Sequence, residues 1–326
     1  MATTLQHIKE RLAPQLQAMN DIIVSTLRSD SALTNEIVAN YLKTKGKQLR
    51  PIMVLLVAKY YGEINDRVLA GGAAVEMLHN ASLIHDDVID QARERRGMST
   101  INSVWNNHVA VLVGDFFVTG ALQCAVRTGD SRILQALAGM GRDLSLGEID
   151  QADIARHHSI DEQTYMKIIS AKTASLFECC AAVGGLAVEA PEHELERMKQ
   201  FARLLGICFQ IKDDTFDYYH DDTVVGKPTG NDLREGKITL PLIYALRRTD
   251  LPQCEQMQAL VQKDRLSTDE IEQLVEYAKG AGGIDYAYQV MNDLKAEAEK
   301  LLTDADDNEA GAMLLEIFDY IIQRKK

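Results

Sequence analysis

Hydrophobic positions recur with helical spacing along almost the whole chain. Leu5, Ile8, Leu12, Leu16, Met19, Ile22, Ile23 and Leu27 fall on one face and predict a helix over 5–28. Asp30 or Ser31 can cap a second helix, 32–44. An apolar stretch at 51–61 predicts a third. The run 68–84 is apolar and rich in small residues, so it reads as a buried helix that extends to about 90. Its Ala70-Gly71-Gly72-Ala73-Ala74 segment admits a close neighbour, and its few polar residues are Glu76, His79, Asn80, Ser82 and His85. A polar loop over 91–106 carries Arg93, Arg95 and Arg96. Helical patterns follow at 107–126, 131–155, 160–187 and 192–219. A loop at 221–238 holds three glycines and a proline. Further helical patterns occupy 240–247, 250–262, 268–279, 284–302 and 309–323. No stretch alternates with the period of a strand, so the predicted fold class is all-α. No Pro/Gly/Ser-rich linker interrupts the pattern, which predicts one large domain over 1–326.

The 68–90 helix ends in Asp86-Asp87-Val88-Ile89-Asp90. At 3.6 residues per turn Asp86 and Asp90 share a face, with Asp87 beside them. Carboxylates are unfavourable at a helix C-terminus, where the macrodipole is already negative. A divalent cation, the nearby arginines, or both must offset that charge, and oxygen-only ligands favour magnesium or manganese over zinc. One such string alone is more often a solvated helix end than a metal site. A second copy, Asp213-Asp214-Thr215-Phe216-Asp217, follows another apolar run at 201–211 and shifts the reading to a functional pair. His79 lies two turns before Asp86 on the same face; without Asp86 it would read as a core histidine. Lys45-Gly46-Lys47-Gln48-Leu49-Arg50-Pro51 suits anion binding at a helix entry, or a plain basic turn. Lys172, among Ala171, Ala174 and Leu176, is a candidate inward-facing cation or a snorkelling lysine. Lys227 and Lys237, in the 221–238 loop, can close over an anion.

The formal charge of −13 excludes a nucleic-acid binder, which needs a basic surface. The five cysteines, Cys124, Cys179, Cys180, Cys208 and Cys254, have no CxxC spacing and read as buried, reduced thiols. No signal-peptide pattern opens the chain, and no apolar run reaches the length of a membrane span without polar interruption. A cytoplasmic location is expected.

The acidic strings with Lys47, Arg50, Arg95, Arg96, Lys172, Lys227 and Lys237 are what a diphosphate requires: metal ions plus basic side chains. Apolar helix faces suit a hydrocarbon tail. No Ser-His-Asp triad, P-loop or dinucleotide fingerprint is present.

The motifs Gly46-Lys47…Arg50-Pro51, Glu76-Met77-Leu78-His79, Asp86-Asp87-x-x-Asp90 with Arg95-Arg96-Gly97, Gly114-Asp115, Gly147-Glu148, Lys172-Thr173, Gln210-x-x-Asp213-Asp214-x-x-Asp217 and Gly226-Lys227…Asp232…Lys237 span about 45–241. Together they resemble the trans-isoprenyl diphosphate synthases, in particular long-chain polyprenyl diphosphate synthases such as octaprenyl diphosphate synthase. The resemblance implies a helical bundle around a deep central cavity, a homodimer, and magnesium, about three ions per site, with manganese as a substitute. It implies that Asp86, Asp87, Asp90, Asp213, Asp214 and Asp217 hold the metal. Arg95, Lys172, Lys227 and Lys237 would bind the allylic diphosphate, farnesyl or geranyl diphosphate. Lys47, Arg50, His79 and Arg96 would bind isopentenyl diphosphate, with Thr173 and Gln210 in the substrate site. Asp86, Asp87, Asp90, Lys172, Asp213 and Asp214 would carry the catalysis. Two departures stand out: Lys45 for the first glycine of the N-terminal motif, and Thr215-Phe216 for a small aliphatic pair.

By the same resemblance, bulky residues four and five before the first aspartate cap a short product. Here these are Ser82 and Ala81, both small. One helical turn rises about 5.4 Å, so the 68–90 helix can flank roughly six or seven isoprene units. The expected product has about seven to ten units, a quinone side-chain precursor that partitions into membranes. The candidates for the cavity floor are Met77, Val118, Leu122 and Met140, each of which also reads as an ordinary core residue. The rival readings are a farnesyl or geranylgeranyl diphosphate synthase, a terpene cyclase, and a non-catalytic subunit of a two-component synthase. Small Ala81 and Ser82 argue against the first, the repeated DDxxD against the second, and the intact acidic strings against the third.

Overall fold

The computed structural model describes residues 4–44, 46–157, 160–219, 229–263, 265–302 and 308–324, with the side chains of 155–157 excepted. In chain order the elements are α1 (Thr4–Arg11), α2 (Ala13–Thr26), α3 (Ala32–Tyr41), α4 (Leu49–Tyr61), α5 (Asp66–Ile89), β1 (Glu94–Arg95), β2 (Met98–Ser99), α6 (Ile101–Val104), α7 (Asn107–Arg127), α8 (Ser131–His157), α9 (Glu162–Ile169), a π-helical turn (Ser170–Ala174), α10 (Ser175–Ala187), α11 (Glu192–Phe216), α12 (Asn231–Arg234), α13 (Leu240–Leu246), α14 (Cys254–Val261), α15 (Thr268–Gly280), α16 (Gly283–Glu299) and α17 (Glu309–Gln323). The chain is all-α apart from the two-residue strands, and it forms two compact units. One comprises 1–141, 176–199 and 304–314; the other comprises 142–175, 200–303 and 315–326.

The first unit is built around α5. Asn65 caps it, accepting from the Val68 N–H at 3.1 Å. Val68, Ala73, Ala74, Val75, Met77, Ala81 and Ile84 are buried. Helices α2, α4 and α7 pack on it. Helix α7 comes close at Gly114, where a Cβ would sit 2.2 Å from the His85 ring. Any larger residue there would push α7 away from the end of α5. Helix α4 is buried from Pro51 to Ala58. Each fully buried Leu, Ile, Val or Met contributes about 1.5–3 kcal/mol, so this stretch is a main source of stability.

The second unit is built around α13, whose Leu240, Leu242, Ile243, Ala245 and Leu246 are buried against α14, α15 and α16. Phe201 and Phe318 meet edge-to-face at 5.6 Å and tie α11 to α17. A capping box of Ser267 and Glu270 starts α15.

Several expectations shift. The 5–28 helix is two helices, because Pro14 in the first turn of α2 cannot donate the hydrogen bond that would continue α1. The 91–106 loop contains an antiparallel pair, β1 with β2, turning at Arg96 (φ 55°) and Gly97 (φ 75°). The 160–187 helix is interrupted by the π turn. The described part of the 221–238 loop includes the single turn α12. Helix α7 is long and apolar enough to cross a membrane, where no such run was expected; it carries Asp115, and 44% of its most apolar window is buried. All five cysteines are free and buried, as expected. Burial pushes the Cys179 and Cys208 thiols up to about 12, so both stay protonated.

Candidate active site

In the first unit the end of α5 presents its three carboxylates in graded environments. Asp87 is buried at 4% exposure, Asp86 is half-buried and Asp90 is exposed. Asp87 Oδ1 accepts from Arg95 Nε at 2.6 Å. Burial pushes the Asp87 carboxyl up, Arg95 pulls it down, and burial wins. The β1–β2 hairpin sets Arg95 in place. Asn102 Nδ2 donates to the carbonyls of Asp87 (3.1 Å) and Ala92 (3.0 Å), and Thr100 Oγ1 donates to the Ala92 carbonyl at 2.7 Å.

Arg96, next in the turn, lays its guanidinium over Gly46, where a Cβ would meet Cζ at 2.7 Å. Glycine is needed there for close approach, and Arg96 is thereby brought to the basic stretch containing Lys47. Arg50, in the first turn of α4, stands 5.8 Å over the Phe177 ring. His79 is buried; burial, then Arg50, Arg96 and Arg95, hold its ring well below the usual histidine range, so it is neutral. Glu76 is pushed up by burial and partly pulled down by Arg50 and Arg96. Tyr41, Asp87, Arg95 and Arg96 line a cavity of about 320 Å³. Ala81 is 1% exposed, whereas Ser82 is half-buried and donates to the His79 carbonyl at 2.9 Å.

In the second unit Lys172 and Thr173 lie in the π turn. Ser175 Oγ donates to the Ala171 carbonyl at 2.6 Å, and Gly147 of α8 passes so close that a Cβ would meet the Lys172 nitrogen at 3.0 Å. A π turn shifts the register of the side chains that follow it, and such turns concentrate at functional sites. Lys172 Nζ pairs with Glu148 Oε1 at 2.6 Å and donates to Gln151 Oε1 at 3.3 Å. Thr173 Oγ1 donates to Gln210 Oε1 at 2.6 Å. Gln210 Nε2 in turn donates to Asp214 Oδ1 at 2.7 Å, while Tyr165 donates its hydroxyl to Asp214 Oδ2 at 2.6 Å. Lys237 pairs with Glu235 at 2.5 Å. A cavity of about 110 Å³ is lined by Lys172, Thr173, Gln210, Asp214, Asp232 and Lys237.

The three aspartates of α11 are held by different partners. Asp213 pairs with Arg324 at 2.6 Å. Asp214 is buried; burial, then the charge of Asp232, push its carboxyl up to about 8. Asp217 accepts the backbone N–H groups of Asn231 (3.0 Å) and Asp232 (2.9 Å) and so anchors α12. Asp232 is itself pushed up, by burial and then by Asp217.

The expected site residues thus gather in two sets: Lys47, Arg50, His79, Asp86, Asp87, Asp90, Arg95 and Arg96 in one unit, and Lys172, Thr173, Gln210, Asp213, Asp214, Asp217 and Lys237 in the other. Lys227 lies outside the described residues. The sequence reading missed the roles of Tyr165, Asp232, Tyr41 and Arg324. Asp232 sat inside a quoted motif, and Tyr165 lies seven residues before Lys172, two helical turns away. No local pattern marks Arg324.

Among the described residues no three His, Cys, Asp or Glu side chains stand close enough to hold a metal ion by themselves. Magnesium is commonly bound through one or two carboxylates plus substrate phosphates and water, so a diphosphate would complete such a site. The donors fit. Asp87, Asp214 and Asp232 are carboxyls pushed up first by burial and then by a nearby carboxylate, Asp90, Asp232 and Asp217 respectively, and a hard dication relieves that strain.

Residues 31–278 match the polyprenyl synthetase family model. An octaprenyl diphosphate synthase of Haemophilus influenzae is 32% identical over 299 residues, covering 91% of this chain and 89% of its own. The solved structure of a decaprenyl diphosphate synthase from Rhodobacter capsulatus aligns with TM-score 0.90 and 31% identity over 99% of both chains. That of a polyprenyl synthase from Caulobacter crescentus, complexed with calcium and isoprenyl diphosphate, aligns with TM-score 0.90 and 29% identity over 100% of this chain and 99% of its own. The two acidic strings, their basic neighbours and this match over most of the length agree, and the chain belongs to the polyprenyl synthetase family, among the long-chain trans-prenyl diphosphate synthases.

Proposed function

We propose that this chain is a self-sufficient, magnesium-dependent prenyltransferase. It would extend an allylic diphosphate by successive 1′-4 condensations with isopentenyl diphosphate to a product of about seven to ten isoprene units. The observation that carries the reading is one cavity lined by the carboxyls of Asp214 and Asp232 together with Lys172 and Lys237. Carboxylates and lysines facing one small space suit a metal-bound diphosphate better than either ion alone. The match to long-chain relatives over most of the chain supports the same reading and the treatment of 1–326 as one functional domain.

Asp86, Asp87, Asp90, Asp213, Asp214 and Asp217 are the proposed metal-holding set. Magnesium, when bound, would supply positive charge to the departing diphosphate. Arg95, Lys172, Lys227 and Lys237 would grip the allylic diphosphate and stabilise the charge it gains as its C–O bond breaks. Lys47, Arg50, Arg96 and neutral His79 would orient isopentenyl diphosphate so that its double bond attacks the allylic cation. The proton lost afterwards passes to the released diphosphate. Thr173, Gln210 and Tyr165 hold Asp214 in one orientation. Apolar helix faces keep water from the cation.

A homodimer belongs to this reading, with a cytoplasmic enzyme and a product that enters membranes. Exposed apolar residues on α7 support the dimer: Leu112 (55%), Val126 (66%) and Leu122 (46%), whose exposure speaks against the floor position expected for it.

The test is turnover of the purified chain alone with magnesium, farnesyl diphosphate and labelled isopentenyl diphosphate. Extension that disappears with a chelator is expected. No extension under any metal condition would overturn the reading in favour of a non-catalytic subunit.

A further inference from the structure

Arg324 follows the last described helix, yet its side chain is only 3% exposed. It sits in a cradle to which α11 contributes two rings, a carbonyl and a carboxylate. Its guanidinium lies 4.3 Å over the ring of Phe209 and 5.3 Å over that of Phe216. It donates to the Phe209 carbonyl at 3.1 Å and pairs with Asp213 Oδ1 at 2.6 Å. Phe209 and Phe216 are seven residues apart, two turns, so their rings share one face with Asp213 between them in sequence. Phe216 is also flanked by Lys212, which stands 5.3 Å from its ring and donates to the Tyr288 hydroxyl at 2.5 Å. Phe216 is one of the two residues that depart from the small aliphatic pair of the resembled motif. Its bulk therefore has a use in this chain: it closes one side of the cradle.

We propose that Arg324 is a positioning residue for the second acidic string. The aromatic cradle fixes the guanidinium, and the guanidinium fixes the rotation of the Asp213 carboxylate. This rests on the reading of Asp213 as a metal-holding residue. A bare aspartate on a helix surface samples several rotamers, and each must be frozen when an ion binds. A planar guanidinium held by two rings presents its donors in a single direction, so the ordering is already done. Arg324 acts through Asp213 and need not touch substrate.

Removing an outer partner of a metal ligand typically weakens metal affinity by about 10–100-fold. Arg324→Gln is expected to raise the magnesium concentration for half-maximal turnover by about tenfold, with the rate at saturating magnesium little changed. Arg324→Lys keeps the charge but not the fork and is expected to recover part of the loss. Phe216→Leu opens the cradle while keeping Arg324 and is expected to shift in the same direction by a smaller factor. Calorimetric titration of Mn²⁺ into each protein with inorganic diphosphate reads the same order without turnover. Circular dichroism identifies any variant that fails to fold, and Phe216→Leu then carries the test. Equal metal affinity in wild type and variants, or tighter binding in Arg324→Gln, overturns the proposal. A wild type that binds Mn²⁺ in this order but transfers no prenyl group would contradict the proposed function and leave the positioning role standing.

Discussion

The two DDxxD strings have the same spacing and opposite surroundings. The first closes α5 and runs from a buried, Arg95-paired Asp87 to an exposed Asp90. The second spans the last turn of α11 and the residue that follows it. Asp214 is enclosed by Tyr165 and Gln210, Asp213 is held by Arg324, and Asp217 anchors α12. One string is a set of carboxylates offered at a helix end, with a hairpin supplying the cation. The other is built into a hydrogen-bonded network. Equal sequence spacing therefore does not mean equal work. The first string should respond to mutation mainly in rate, the second in both rate and stability.

The largest effect is expected for Asp86→Ala, which removes a half-buried carboxylate of the first string. Turnover should fall by about a thousandfold or more, as for loss of several kcal/mol of charge stabilisation, with the melting temperature nearly unchanged. Near-normal turnover would break the metal assignment of the first string. Asp217→Ala should behave differently. It deprives the N–H groups of Asn231 and Asp232 of their acceptor, so the fold should lose about 1–2 kcal/mol along with activity. Denaturant unfolding of the two variants side by side reads the contrast, and equal stability would erase it.

A third prediction sharpens the view of α5. Asp86, Ser82 and Leu78 are spaced by four and all half-buried, whereas Ala81 and Met77 are buried. Both Ala81→Phe and Ser82→Phe should shorten the product. Ala81→Phe must also overpack the core, at about 1–3 kcal/mol, and Ser82→Phe should cost less. Product sizing and melting curves of the pair test this; an unchanged product in both would mean that the chain does not grow past this row.

The smallest effect concerns the metal-free protein. The Asp214 carboxyl rises from 3.8 to about 8 on folding, first through burial and then through Asp232. The folded state then binds more protons than the unfolded chain, so stability falls as pH rises from about 4 to about 8. In chelator, Asp214→Asn should remove that decline and melt higher than wild type near the top of this window, even though it is inactive. A wild-type melting temperature that does not fall with pH would show that Asp214 ionises freely.

Much of this contrast was legible in the sequence. Helical periodicity located α17 at 309–323 and placed α5 within about two residues at either end, because both carry long apolar faces. The proposed metal-holding carboxylates were singled out by their repeated spacing, and their candidate cations by the loops and helix ends that carry them. What escaped depends on contacts distant in sequence or on very short elements. Two-residue strands have no period to detect, yet they place Arg95 against Asp87. The π turn at Lys172 follows from the approach of Gly147, which no local pattern reveals. Tyr165 reaches Asp214 from 49 residues away. Arg324 carries no local signal, and it is among the most enclosed cations of the second unit.

The central claim is that this chain alone builds a long product. The direct measurement is to supply the purified protein with magnesium, farnesyl diphosphate and labelled isopentenyl diphosphate, remove the diphosphates and size the chains. A band at about seven to ten isoprene units is the predicted result. A ladder that stops at about three or four units would keep the prenyl-transfer chemistry and contradict the role given to Ala81 and Ser82.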